Sequence, residues 1–243
     1  MTASPSSKLL VTLATKNEGK RLELQQQLQN AHVPLELVIN HQAMDVEETG
    51  SDFLENAWLK ARQTEPVIPG GYVLAEDSGL VVDALDGRYG LSPFPGLYSN
   101  RWLTREIRDE LLGQSYPNRL PLDRITEMGV TNSDLCYAIL HMMRGETNRW
   151  ARYCCGMVLW RAGLGKCFET LQSTELQIIE GEPRGLNGFG YDPITVPVEV
   201  LPGSETKQRS MAELSSIEKN AISHRGKAFK QIIAFLRQQE NFQ

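Results

Sequence analysis

Two adjacent carboxylates, Glu76 and Asp77, follow the β-forming run Tyr72 to Ala75 and precede Ser78 and Gly79. An apolar strand has no structural need to end in buried acids, so this pair is a candidate for metal or proton chemistry. A second acidic pair, Glu47 and Glu48, lies in the loop Asp45 to Gly50. Mg²⁺ takes hard oxygen ligands, keeps several waters, and is commonly held by one or two carboxylates plus substrate phosphates. The inventory suits such a site, although adjacent acids in a loop are, taken alone, ordinary solvated charge.

Anion-binding chemistry is suggested by Thr15-Lys16-Asn17-Glu18-Gly19-Lys20, which joins a strand-like run to a helix-like one. A helix N-terminus presents unpaired N–H groups and a positive dipole end, and Lys20 adds an ammonium. The spacing is not that of a P-loop, and a plain N-cap with solvated lysines is the alternative. Further on, Gly185-Leu186-Asn187-Gly188-Phe189-Gly190-Tyr191-Asp192-Pro193 brackets two rings and an acid with glycines. Either a ring there stacks on a flat ligand, or the segment is a tight turn with its aromatics in the core. Finally, Glu218-Lys219-Asn220 and Ser223-His224-Arg225 combine a planar guanidinium with an imidazole, close to an expected helix break at Gly226. A C-cap role for the histidine is the simpler reading.

The elements that must position these groups can be read from apolar spacing. Leu9 to Thr15 reads as a buried strand and Glu18 to Asn30 as an amphipathic helix. Leu35 to Asn40 is a second strand, and Asp52 with Glu55 forms a capping box for a helix to about Gln63. Leu80 to Leu85 is another apolar run, and Thr104 to Leu112 is a charged helix. Residues 149 to 160, 166 to 172 and 174 to 180 read as closely spaced strands. Ser215-x-x-Glu218 is a second capping box, opening a helical region that runs past Gly226 to about Gln238. Mixed strand and helix order of this kind predicts an α/β protein with a long twisted mixed sheet and two lobes.

The chain has 243 residues, 41% of them hydrophobic, enough for a large core without staples. Its net charge of −5 argues against a surface that binds nucleic acid by counterion release. The apolar run Leu9 to Ala14 is too short for a membrane span or a signal segment, so the expectation is a cytoplasmic protein with no membrane partner. Cys136, Cys154, Cys155 and Cys167 form no C-x-x-C pair and read as reduced core residues.

In this order and spacing the segments resemble the inosine triphosphate pyrophosphatase family, which acts on non-standard purine triphosphates. The carriers are LATKNEGK (13 to 20), EETGSDFLENAWLKAR (47 to 62), AEDSGLVVDAL (75 to 85), PGLYSNRW (95 to 102), GFGYDPI (188 to 194) and AELSSIEKNAISHRGKA (212 to 228). The resemblance implies one domain over residues 1–243, built as two α/β lobes around a long mixed sheet, with a central nucleotide cleft, usually in a homodimer. It implies Mg²⁺-dependent hydrolysis of ITP, dITP or XTP to a monophosphate and pyrophosphate.

Residue by residue, the resemblance places Thr15, Lys16, Asn17, Glu18, Gly19 and Lys20 in the triphosphate loop. Glu48 and Asp77 fall on the metal-site acids, and Asp77 is also the expected catalytic proton acceptor. Lys60 and Lys219 fall on phosphate-binding lysines, and Ser78 on a substrate contact. Phe189, Gly190, Tyr191, Asp192, His224 and Arg225 match base-recognition positions. The chain departs from the family pattern at Lys16, where Gly is usual, at Glu76, where Asp is usual, and in an apparent insertion at 104–129. Other readings are a nucleotide-binding regulator of the same fold without turnover, and a Maf-like pyrophosphatase for other modified nucleotides.

Overall fold

The computed structural model describes residues 8–40, 46–113, 126, 128–161, 163–199 and 208–239. The apolar run Leu9–Ala14 forms β1, and α1 spans Glu18–Ala31. Asn17 starts that helix, its Oδ1 accepting the Lys20 N–H at 3.1 Å. His32, in left-handed conformation at φ 50°, ends it. After β2 (Leu35–Val38), α2 covers Phe53–Gln63. Asp52 caps α2 by accepting the Glu55 N–H at 2.8 Å, while the Glu55 carboxylate reaches one residue beyond the cap, to the Ser51 N–H at 2.7 Å. An element then follows that alters the reading of the carboxylates: β3 is one uninterrupted strand, Tyr72–Val82, buried at every residue except the half-buried Ser78. Glu76 and Asp77 therefore lie in the middle of a strand and not at its end.

The later elements are α3 (Arg105–Leu112), α4 (Asn132–Met142), β4 (Trp150–Arg161), β5 (Gly165–Ile178), β6 (Thr195–Pro197), α5 (Ser216–Ile222) and α6 (His224–Gln239). The two strands expected at 166 to 172 and 174 to 180 are one, because nothing at Ser173 interrupts β5. The helical region after Ser215 is two helices. Ser223, extended at φ −70° and ψ 148°, separates them, so His224 and Arg225 open α6 and Gly226 lies inside it. Of the apparent insertion at 104–129, α3 is described and residues 114–125 and 127 lie outside the described residues.

The sheet order is β2-β1-β3-β4-β5-β6. β1 runs parallel to both β2 and β3, whereas β5 and β6 are antiparallel, so the sheet is mixed and the protein is α/β. Two compact units divide the chain: the first holds 1–78, 155–172 and 224–243, the second 79–154 and 173–223. In the first, Leu24 of α1 and Ala228, Phe229 and Ile232 of α6 pack with Tyr72 and Leu74 of β3. A smaller cluster there joins Ala57 and Ala61 of α2 to Val73 and Ala75 of β3. The second unit has its own core around Phe94, Leu135, Ile139, Tyr153 and Ile194. No helix among the described residues is long and apolar enough to cross a membrane.

Candidate active site

Successive residues of a strand point to opposite faces of the sheet, and β3 uses this alternation to separate its polar groups. Tyr72 and Leu74 pack with α1 and α6, while Val73 and Ala75 pack with α2. Continued by the same period, Glu76 and Ser78 face α1 and α6, and Asp77 faces α2. The polar contacts follow this rule.

On the α2 face, Asp77 Oδ2 accepts from Asn56 Nδ2 at 3.0 Å, and Asp77 Oδ1 lies 3.3 Å from Lys60 Nζ. The same ammonium donates to Glu48 Oε1 at 2.9 Å. One lysine thus bridges the two acids assigned to a metal. Burial alone would push the Lys60 ammonium toward deprotonation, but Asp77 and Glu48 outweigh it and raise its pKa. Asn56 is 1% exposed, and its Oδ1 accepts the Gly50 N–H at 2.8 Å, tying Asp77 to the segment that leads from Glu48. Sequence reasoning passed over Asn56, although its spacing of four from Lys60 puts both on one helix face.

On the other face Glu76 is completely buried. Lys20 Nζ stands 2.9 Å from its Oε1, a charge contact without hydrogen-bond alignment. Arg225 Nε lies 3.4 Å from its Oε2, and the Cys155 thiol donates to the same oxygen at 3.4 Å. Burial raises the Glu76 pKa, but Arg225, Lys20 and Lys60 overcome that and hold the carboxyl well below the usual range. Burial also pushes the Cys155 thiol well up, with Glu76 adding to the effect. Arg225, itself 2% exposed, donates from Nη1 to Glu23 and from Nη2 to Ser78 Oγ at 2.9 Å. Glu23 was also missed, though it is three residues from Lys20 on α1. Lys20 is therefore a buried ion-paired group and not a solvated lysine.

Of the remaining loop residues, Thr15 Oγ1 accepts the Asn17 N–H at 3.2 Å, and Gly19 is buried at the start of α1. Lys16 is exposed, as is Glu18, which pairs with Arg21 at 2.5 Å.

The second unit holds Phe189, Gly190, Tyr191, Asp192 and Lys219. Its two rings differ. Tyr191 is 3% exposed, and its hydroxyl accepts from Trp102 Nε1 at 2.8 Å and donates to the Ser99 carbonyl at 2.5 Å. The core alternative thus holds for Tyr191, and its ring is no open stacking platform. Phe189 is half-buried, with the Lys219 ammonium 5.3 Å from its ring centre. Asp192 Oδ2 accepts from the Phe189 N–H at 2.8 Å and from Lys219 Nζ at 2.6 Å, which makes a buried ion pair below that ring. Glycine is required twice here. A Cβ on Gly185 (φ 89°) would lie 2.3 Å from the Ala212 carbonyl carbon, and one on Gly188 (φ 79°) would lie 2.1 Å from Asp192 Oδ2. His224, 5% exposed, is in the first unit at the start of α6.

Fold and site together define an α/β protein in which lysines and an arginine are set against paired carboxylates, chemistry suited to a polyanionic ligand with a cation. The Ham1 family model matches residues 11–235, and the chain belongs to that family. A dITP/XTP pyrophosphatase of Aquifex aeolicus is 36% identical over 236 residues, covering 95% of this chain and 96% of that protein. A dITP/XTP pyrophosphatase of Coxiella burnetii is 32% identical over 229 residues, covering 94% and 96%. Among solved structures, a HAM1 protein from Coxiella burnetii superposes with a TM-score of 0.64 at 31% identity, covering 95% of this chain and 99% of the other. The Staphylococcus aureus Ham1 protein gives 0.66 at 27% identity, with the same coverage.

Proposed function

We propose that this chain hydrolyses purine nucleoside triphosphates such as ITP, dITP and XTP between the α and β phosphates, releasing a monophosphate and pyrophosphate. The names of its relatives support the reaction. The observation that carries the reading is the Lys60 ammonium held between Glu48 and Asp77, since two carboxylates that share one cation are a donor set for a divalent ion. Among the described residues no cluster of three or more His, Cys, Asp or Glu side chains could hold a metal. Two carboxylates suffice for Mg²⁺, which completes its shell with water and phosphate oxygens. When bound, Mg²⁺ neutralises phosphate charge and lowers the pKa of a water.

The chain's own residues have separable roles in this reading. Asp77, oriented by Asn56, accepts the proton of the attacking water. Lys20 and Lys60 serve the phosphates, joined by N–H groups at the start of α1 and the Thr15–Asn17 segment. Phosphoryl chemistry depends on such positioning and charge neutralisation more than on covalent help. For the base, Phe189 offers a face worth about 1–3 kcal/mol of stacking. Hypoxanthine and xanthine carry an acceptor oxygen at C6 where adenine carries an amino donor. Donors from His224 and Arg225 would mismatch adenine, and such mispairing can reach on the order of 10⁴ in rate. The same reading makes the protein a cytoplasmic homodimer.

The test is product analysis of ITP incubated with the protein and Mg²⁺. IMP and pyrophosphate in equal amounts, and none without the metal, is the expected result. Stepwise appearance of IDP and orthophosphate contradicts the reading.

A further inference from the structure

The Lys60 ammonium sits 2.9 Å from Glu48 Oε1 and 3.3 Å from Asp77 Oδ1, the two oxygens that the hydrolytic reading gives to the metal. The cluster is neither sealed nor open, with the three side chains 14%, 24% and 8% exposed for Lys60, Glu48 and Asp77. We propose that Lys60 is a resident counter-cation: it occupies the Glu48–Asp77 pair in the nucleotide-free protein and must leave it before a divalent ion can enter. Metal and triphosphate then load together, as the ammonium passes from the carboxylates to the phosphates. The inference rests on the hydrolytic reading of this site and adds to it an order of events.

Three observations carry it. First, the places conflict. A Mg²⁺ ion needs these oxygens at about 2.0–2.1 Å, and an ammonium in hydrogen-bonding contact with the same oxygens leaves two like charges side by side. Second, Asp77 is held independently of the lysine. Asn56 Nδ2 donates to Asp77 Oδ2 at 3.0 Å and its Oδ1 accepts the Gly50 N–H at 2.8 Å, so the placement of Asp77 does not depend on Lys60 remaining. Third, the lysine is the member able to move, being a compact charge on a flexible four-carbon stem. A triphosphate offers that charge new anionic partners. A free metal ion offers none and leaves a largely buried ammonium without its counter-charges, so free metal binds weakly. On this account Lys60 opposes metal binding in the absence of nucleotide and assists catalysis in its presence.

Mn²⁺ binding to the nucleotide-free protein, followed by paramagnetic resonance, tests this without reference to turnover. Lys60→Met keeps the bulk of the stem and removes the charge, and Lys60→Gln is a second, polar version. Either variant should bind Mn²⁺ at least about tenfold more tightly than wild type, because a competing like charge is gone. Adding Glu48→Gln to Lys60→Met should abolish the gain. Melting temperature is the parallel readout: the variants should melt lower than wild type in chelator and recover with Mn²⁺, while wild type responds little. Equal Mn²⁺ affinity in wild type and both variants overturns the proposal, and so does a gain that survives Glu48→Gln. ITP hydrolysis by wild type is scored separately. Turnover without a change in Mn²⁺ affinity refutes only the exchange, whereas tighter Mn²⁺ binding without turnover refutes the hydrolytic reading.

Discussion

Glu76 and Asp77 are neighbours in the chain, yet β3 delivers them to different chemistry. Glu76 is sealed, with Lys20, Arg225 and Cys155 around it. Asp77, together with Glu48 and Lys60, retains partial access to solvent. The difference arises from the pleat alone, which turns one carboxylate toward α1 and α6 and the other toward α2. A carboxylate with no exposed surface cannot reach a ligand itself, so Glu76 fixes geometry, while Lys20, at 10% exposure, keeps some access to solvent. A partly open cluster can trade a lysine for a metal or a phosphate. In the second unit, Asp192 and Lys219 form a buried pair at 4% and 7% exposure, and their pairing holds the segment that presents Phe189.

If Glu76 is architectural, its loss should be felt in stability. Glu76→Gln breaks the buried pair with Lys20 and leaves Arg225 with Glu23, and a broken buried pair costs about 3–5 kcal/mol. Urea denaturation measures this. A cost below about 1 kcal/mol, the range of surface pairs, would erase the distinction between the two faces. The comparable change in the second unit is Gly188→Ala. It forces a left-handed backbone onto a residue with a Cβ, at about 1–3 kcal/mol, and drives that Cβ against Asp192 Oδ2. The same denaturation experiment should show it, and an unchanged midpoint would mean that the Asp192 pair yields without cost.

The smallest expected effect is on pH dependence. A carboxyl whose folded pKa is depressed contributes stability that is complete above its unfolded pKa and is lost as pH falls through the folded value. Glu76 is such a group. The stability gap between wild type and Glu76→Gln should therefore stay constant from about pH 7 to about pH 5 and shrink only below about pH 4, the unfolded carboxylate range. A gap that closes between pH 7 and pH 5 would show that Glu76 is not held ionised.

Much of this was legible in the sequence because the signals are local. The Asn17 and Ser215 caps and the strand Leu9–Ala14 lie where residue types and spacing put them. Pairings across the fold were not legible. Nothing in the spacing joins Glu23 to Arg225, 202 residues apart, or distinguishes Tyr191 in the core from the half-buried Phe189. The reading of Glu76-Asp77 as a strand end failed because polar residues normally end apolar runs. Here burial was tolerated because Lys20, Arg225, Asn56 and Lys60 converge on the two acids from three helices. The helix α4 was missed because its run, NSDLCYAILHM, is apolar without a clean period and its capping box closes with Asp134 in place of Glu or Gln.

The claim that Asp77 works where Glu76 only holds is tested most directly by Asp77→Asn, with melting temperature and ITP hydrolysis measured on one preparation. An amide cannot accept the proton of the attacking water, and general-base loss typically costs about 10²–10⁴-fold. The account predicts at least that loss of turnover with a melting temperature close to wild type. Turnover within a few-fold of wild type, with a lowered melting temperature, would make Asp77 a structural residue and contradict the account.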